Sequence, residues 1–217
     1  MKILVTGSSG QLGSVTVNHL KKHGHMVYGI DIATADTTDE LLDIADKDKV
    51  LAVYKGFDAI IHTAALHGKH YELGFSREAF VYNNITGTLN LLNACAQNGI
   101  KKFLYISTTS IYGDAMVNPD RAVWIDEQLR EQPRDIYDIT KQSAEQLCRD
   151  FFYKEGLQTS VYRVARFLPE DDNLMLNHRL YRGLDPRDGA EALRLALDIY
   201  FEQFEIFNIS SGSPFVR

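Results

Sequence analysis

The stretch Thr6-Gly7-Ser8-Ser9-Gly10-Gln11-Leu12-Gly13 follows the apolar run Ile3-Leu4-Val5 and precedes Val15-Thr16-Val17-Asn18-His19-Leu20-Lys21-Lys22. That order of residue types reads as a buried strand feeding an amphipathic helix through a glycine loop. Gly7 permits a tight turn out of the strand, Gly10 lets a ligand approach the backbone, and Gly13 lets the helix pack close to the sheet. The first N–H groups of a helix have no intrahelical partner and can face an anion such as a diphosphate. The same spacing also occurs in ordinary strand-to-helix turns, so the rest of the chain has to decide between the two.

The segments that follow alternate in kind. Met26-Val27-Tyr28-Gly29-Ile30 reads as a second strand ending at Asp31, eighteen residues beyond Gly13. A carboxylate there can accept from both hydroxyls of a ribose and would repel a 2′-phosphate. No arginine follows in Ile32-Ala33-Thr34-Ala35, which favours NAD over NADP. After Asp43-Ile44-Ala45-Asp46 comes a helical pattern from Lys47 to Tyr54, then a strand over Ala59 to Ile61, read as the fourth, running into His62-Thr63-Ala64-Ala65. The two small alanines leave room where a dinucleotide would pass. A single long helix is expected from Arg77 to Asn98, closed by Gly99, with Asn83 and Asn84 in its middle. A fifth strand, Lys102 to Ile106, leads into the hydroxyl cluster Ser107-Thr108-Thr109-Ser110 and then Ile111-Tyr112-Gly113. Strands alternating with helices at this spacing predict an α/β fold, a doubly wound parallel sheet of Rossmann type. The expected division is a dinucleotide-binding domain over residues 1–165 and a small substrate lobe over 166–217, partly packed onto it.

At 217 residues and 45% hydrophobic composition the chain has material for one well-buried core. The formal net charge of -6 offers no basic stripe, which argues against a nucleic-acid or anionic-membrane partner. Only three apolar residues precede Thr6, so no secretory signal is expected, and no apolar run approaches spanning length. A soluble, cytoplasmic protein is the expectation. Cys95 and Cys148 fall in separate helical patterns and read as buried thiols. His62, His67 and His70 lie close in sequence but lack a Cys or carboxylate partner at ligand spacing, so no metal site is expected.

Tyr137 and Lys141 are four residues apart on a predicted helix and so share a face. With the glycine loop, Asp31, Asp43-Ile44, His62-Thr63-Ala64-Ala65, Asn84-Ile85-Thr86-Gly87-Thr88 and Ser107 to Gly113 before them, the chain resembles the extended short-chain dehydrogenase/reductases. That family includes NAD-dependent sugar epimerases and dehydratases. The resemblance runs from Met1 to about Arg163 and continues more weakly through Arg187 to Ala192 and Ile206 to Ile209. It implies catalytic roles for Thr108, Tyr137 and Lys141. It further implies an NAD site over Gly7, Ser9, Gly10, Gln11, Leu12, Gly13, Asp31, Ile32, Asp43, Ile44, Thr63, Ala64, Ala65, Asn84 and Ile106, with Tyr137 and Lys141 shared. In this scheme Asp43 and Ile44 meet the adenine, and Ala64, Ala65 and Asn84 line the cofactor channel. Tyr137 is the base for a sugar hydroxyl, Thr108 orients the reacting oxygen, and Lys141 holds the nicotinamide ribose and lowers the Tyr137 pKa.

Two departures narrow the expected activity. Where the family's 4,6-dehydratases carry an Asp and a Glu after the catalytic Thr, this chain has Thr109 and Ser110, so dehydration is not expected. Only about fifty residues follow Arg163, too few for a full nucleotide cradle, and the step from Leu168-Pro169-Glu170-Asp171-Asp172-Asn173 to Asp188 is similar to the compact uronate dehydrogenases. No counterpart of a substrate-gripping arginine stands just after Pro169-Glu170, and Arg166 is the candidate substitute. The expected function is NAD-dependent oxidation or epimerisation of a sugar or sugar derivative, a nucleotide sugar or a uronate. A reductase of non-sugar carbonyls and a non-catalytic NAD sensor are the alternatives. By resemblance, the helices Arg77 to Asn98 and Gln142 to Tyr153 lie on one side of the sheet and can pair with a second copy, which makes a homodimer the expected assembly.

Overall fold

Short apolar runs become parallel strands when helices cover both faces of the sheet, because each face then buries every second side chain. The computed structural model describes residues 1–53, 55–121, 123–167 and 183–211. Its strands are β1 (Lys2–Thr6), β2 (Met26–Asp31), β3 (Glu40–Leu41), β4 (Ala59–His62), β5 (Lys102–Thr108), β6 (Gln158–Val164) and β7 (Glu205–Ile209). They form one all-parallel sheet in the order β3-β2-β1-β4-β5-β6-β7. The direction of winding reverses between β1 and β4, and a doubly wound sheet binds ligands in the crevice at the strand ends there.

The helices are α1 (Gln11–Lys22), α2 (Lys47–Val53), α3 (Gly68–Glu72), α4 (Arg77–Phe80), α5 (Thr88–Asn98), α6 (Ile136–Glu155) and α7 (Pro186–Leu197). On one face Ile3, Val5, Ile61 and Leu104 pack with Val17 and Leu20 of α1 and Leu193 and Leu197 of α7. On the other, Leu4, Ile60, Phe103 and Tyr105 pack with Val50 of α2, Leu91 and Cys95 of α5, and Ala144, Cys148 and Phe151 of α6. Both cysteines are buried free thiols, and burial pushes both far up. The α5 and α6 helices therefore do share a side. Within 166–217, the described residues 183–211 contribute β7 to this same sheet and α7 to the layer packed on it. The stretch Leu168 to Asn173, on which the uronate-dehydrogenase likeness rested, lies outside the described residues. Among the described residues no helix is long and apolar enough to cross a membrane.

Two local expectations are corrected. The third strand, left unplaced by the sequence pattern, is Glu40–Leu41, too short to carry a period of its own. The helix expected from Arg77 to Asn98 is continuous in path but not in winding: α4 and α5 are joined by a π-helical stretch, Val81–Gly87. Such wide turns carry an extra residue and occur often at functional sites. Here the wide turn carries the buried Asn84, whose amide Nδ2 donates to Leu66 O (2.9 Å) and Thr140 Oγ1 (3.0 Å) while its Oδ1 accepts from Leu66 N (2.8 Å).

Candidate active site

The glycine loop leaves β1 at Gly7, whose φ of 71° is a left-handed conformation that favours glycine. A Cβ there would also stand 2.5 Å from Ala64 N, and one on Gly13 would stand 2.0 Å from Gly7 O. These two glycines are fixed by protein packing. Gly10 differs: a Cβ on it would meet only Gly7 O, at 3.2 Å, and the residue is exposed. It caps α1 without a side-chain hydrogen bond, and no acidic residue occupies the first turn. The backbone N–H groups at Gln11, Leu12 and Gly13 thus form an uncapped, positively polarised helix start. The Leu12 side chain is buried in the core, so Leu12 can offer a ligand only its backbone.

Asp31 ends the neighbouring strand. Its Oδ2 accepts from Ser9 N (2.9 Å) and Ser9 Oγ (2.7 Å), and its Oδ1 from Ile32 N (2.7 Å) and Ala33 N (3.2 Å). The carboxylate therefore ties the glycine loop to the end of β2. Ile32 beside it is 68% exposed, an apolar surface at the crevice edge. Asp43 is exposed and accepts from Ala45 N at 2.9 Å. The Ile44 side chain is buried and packs so closely on Gly87 that a Cβ there would come within 2.7 Å of it. Part of the Ile44 side chain is thus committed to packing against Gly87.

At the end of β4, Thr63 Oγ1 donates to Thr6 O (2.7 Å) and Gly7 O (3.2 Å), holding the two strand ends together. Ala64 and Ala65 are half-buried. His62 is fully enclosed between Thr6 Oγ1 (2.7 Å from Nδ1) and Thr88 Oγ1 (3.0 Å from Nε2). Burial, with Lys141 adding to it, holds its pKa well below the ordinary histidine value. His70 Nδ1 accepts from His67 N at 3.0 Å. Asn84, expected to line the channel, spends its amide on Leu66 and Thr140, so it shapes the wall by fixing the loop after β4 to α6.

The end of β5 meets α6, which starts because the Asp135 side chain caps it by accepting from Asp138 N. The Thr108 hydroxyl accepts from Ser110 N at 3.1 Å and lies close enough to the Tyr137 hydroxyl to favour its ionisation. Burial outweighs this and pushes Tyr137 up to about 12, with Asp138 and Asp135 adding in the same direction. Lys141, buried at 3% exposure, donates from Nζ to Ile106 O and lies 4.3 Å from the Tyr105 ring centroid. Burial brings it down to about 7 against the opposing pull of Glu145 and Cys148. Thr108, Tyr137, Lys141 and Ile106 thus converge. From Asp31 on β2 across β1 and β4 to Thr108 on β5 the crevice spans three strand spacings, about 14 Å.

Sequence reasoning missed three features. Thr37 O passes where a Cβ on Gly29 would lie 1.9 Å away, and Thr37 Oγ1 donates to Ser8 O (2.6 Å), so the loop after β2 braces the glycine loop. A glycine inside a strand signals such an approach. The second is a buried network of Ser107, Glu145 and Arg163, signalled by charged residues inside otherwise apolar stretches. The third is His19, His23 and Glu191, grouped on α1 and α7. There both Glu191 oxygens accept from Arg194, at 2.7 Å each, and one also meets His19, so the carboxylate is already neutralised. Arg166 is exposed, and its O accepts from Leu184 N at 3.0 Å.

A family model described as NAD dependent epimerase/dehydratase family matches residues 3–176. The chain belongs to that family. It is 27% identical over 176 residues to GDP-mannose 3,5-epimerase 1 of Oryza sativa subsp. japonica, covering 77% of this chain and 46% of that protein. It is 28% identical over 178 residues to the uronate dehydrogenase of Pseudomonas syringae pv. tomato, covering 79% and 62%. Among solved structures, UDP-N-acetylglucosamine 4-epimerase from Bacillus cereus superposes with a TM-score of 0.79 at 28% identity, over 98% of this chain and 79% of that one. The chain spans between about half and two thirds of the length of these curated relatives.

Proposed function

We propose that the protein is an NAD-dependent oxidoreductase or epimerase of a sugar or sugar derivative, with Tyr137 as its base. The observation that supports this best is the meeting of Thr108, Tyr137 and Lys141 at the strand end beside an uncapped glycine-loop helix. The residues present fit the cofactor: an anion site without a competing side chain at α1, a carboxylate at the end of β2, and small residues at Ala64 and Ala65. Ser9 to Gly13 would hold the diphosphate, Asp31 and Ile32 the adenosine, and Ala64, Ala65 and Ile106 the path to the nicotinamide. When bound in its oxidised form, NAD would supply the hydride acceptor and, until hydride arrives, a positive charge.

Oxidation of a secondary alcohol needs a proton taken from oxygen as hydride leaves carbon. Tyr137 takes that proton, Thr108 donates to or accepts from the reacting oxygen, and Lys141, one helical turn from Tyr137 and bonded to Ile106 O, would hold a ribose hydroxyl. The protein's own groups set Tyr137 at about 12. One unit charge at about 4 Å and an effective dielectric of 20 contributes about 4 kcal/mol, roughly three pKa units. Added positive charge therefore brings Tyr137 toward working pH only in the loaded site, which confines base catalysis to the productive complex.

Similarity to a GDP-mannose epimerase and a uronate dehydrogenase supports testing both nucleotide sugars and uronates as substrates. Stoichiometric release of NADH on addition of sugar acids identifies a dehydrogenase, and retained cofactor with inverted product identifies an epimerase. Firm NAD binding without turnover across sugar, uronate and carbonyl panels overturns the proposal in favour of a sensor. The assembly we propose is a homodimer through the face carrying Val81, Tyr82, Ile139 and Tyr153, all exposed apolar or aromatic residues of the π turn and α6. A monomeric mass in light scattering at micromolar concentration overturns that part.

A further inference from the structure

Three consecutive residues of β5 grip three successive turns of α6. Thr108 meets Tyr137, Ile106 O accepts from Lys141, and between them Ser107 Oγ donates to Glu145 Oε1. Glu145 is fully buried. Its Oε1 also accepts from Arg163 Nε at 3.1 Å, and its Oε2 from Arg163 Nη2 at 2.7 Å. Arg163, 2% exposed, also donates from Nη1 to Tyr112 Oη (2.9 Å) and from Nη2 to Glu131 Oε1 (2.5 Å). The ensemble holds two cations, Lys141 and Arg163, against two carboxylates, Glu145 and Glu131. A buried ion pair is a poor way to gain stability, since apolar packing often does as well, but it fixes one geometry where apolar side chains accept several.

We propose that Ser107, Glu145 and Arg163 are positioning residues that set the register of α6 against the end of β5 and supply the counter-charge of the Lys141 ammonium. The part concerning catalysis rests on the oxidoreductase function proposed above. Ser107 is the only one of the three consecutive strand-end residues that the catalytic scheme leaves without a role. Its bond to Glu145 lies one helical turn from Lys141 on the same face, so a shift of α6 along β5 breaks this bond together with the Thr108–Tyr137 and Ile106–Lys141 contacts. The titratable and charged groups around Lys141 are Tyr137, Glu145 and Cys148 on α6, Tyr105 on β5, His62 on β4, and Arg163 on β6 behind Glu145. His62 is held neutral and Cys148 is held as a thiol, which leaves Glu145 as the anion.

The test uses the full chain with nitrogen-labelled lysine, the Lys141 signal being identified by its loss in Lys141→Arg. In Glu145→Gln the Lys141 titration midpoint falls by about one unit or more. Ser107→Ala keeps every charge, so its midpoint moves less than that of Glu145→Gln. Its crystal structure instead shows the Thr108 and Tyr137 hydroxyls moved apart, and on a verified substrate kcat falls about tenfold with NADH affinity and KM unchanged. An unmoved midpoint in Glu145→Gln overturns the counter-charge role. Wild-type hydroxyl separation and kcat in Ser107→Ala overturn the register role, and this variant decides the matter if Glu145→Gln fails to fold. Tyr137→Phe separates the two levels: full turnover in it overturns the catalytic assignment, while the titration and the crystal structure still decide the linkage.

Discussion

Around Gly7 to Gly13 the protein makes its crevice by leaving side chains out, and around Ile106 to Thr108 it makes the crevice by burying charged ones. At the first end the contacts are backbone to backbone, and Gly13 approaches Gly7 O more closely than any Cβ permits. At the second, Lys141, Glu145 and Arg163 are withdrawn from water, Lys141 bonded to Ile106 O and Glu145 to Arg163. The difference separates two tasks. Holding an anion needs donors that are already fixed and cannot be protonated or lost, which backbone N–H groups provide. Moving a proton needs groups whose ionisation responds to their surroundings, which only buried titratable side chains provide.

The largest effect expected from this contrast is at the titratable end. Tyr137→Phe removes the proposed base and should lower turnover on a verified substrate about 1000-fold while leaving NADH affinity within about threefold. Equal losses in both quantities would erase the division of labour. Next is Gly13→Ala at the other end, where a methyl forced toward Gly7 O should destabilise the fold by about 3 kcal/mol in urea unfolding and weaken NADH binding about 100-fold. A third measurement uses pH. Burial brings Lys141 from 10.5 down to about 7, so between those values the unfolded chain binds the extra proton and this residue's contribution to stability rises with pH. Wild type should therefore gain on the order of 3 kcal/mol relative to Lys141→Met from pH 7 to pH 10. Tyr137, pushed up to about 12, acts with the opposite sign above pH 10 and stays out of this window. The smallest effect belongs to Gly10→Ala, which meets only Gly7 O at 3.2 Å: stability should change by less than about 1 kcal/mol. A loss of stability as large as that of Gly13→Ala would show that Gly10 too is a packing glycine.

The same contrast explains what the sequence made legible. The glycine loop, the strand after it and the Tyr137–Lys141 pair are local patterns, set by spacings of three, four or six residues, and all of them appear where the periodicity puts them. The Ser107–Glu145 and Arg163–Glu145 bonds join residues 38 and 18 apart and follow from the pairing of β5 with β6, which no local period reveals. Ile44 shows the same limit from the other side. The motif points it at a ligand, while its buried packing against Gly87 depends on tertiary structure that the motif does not show. The role of Asn84 was half visible. An amide in a helix interior advertised a purpose, yet the bonds to Leu66 and Thr140 depend on a widened turn that helical periodicity conceals.

That widened turn makes the segment Val81–Gly87 unusual in how it answers to a change in the length of the gene. Loss of one codon elsewhere in a buried helix rotates everything beyond it out of register. Loss of one here would let the backbone relax into an ordinary α-helix, so the chain would keep folding while Asn84 swung away from Leu66 and Thr140. Evolution has a cheap deletion available at this point, and the wall between the loop after β4 and α6 is what that deletion would remove.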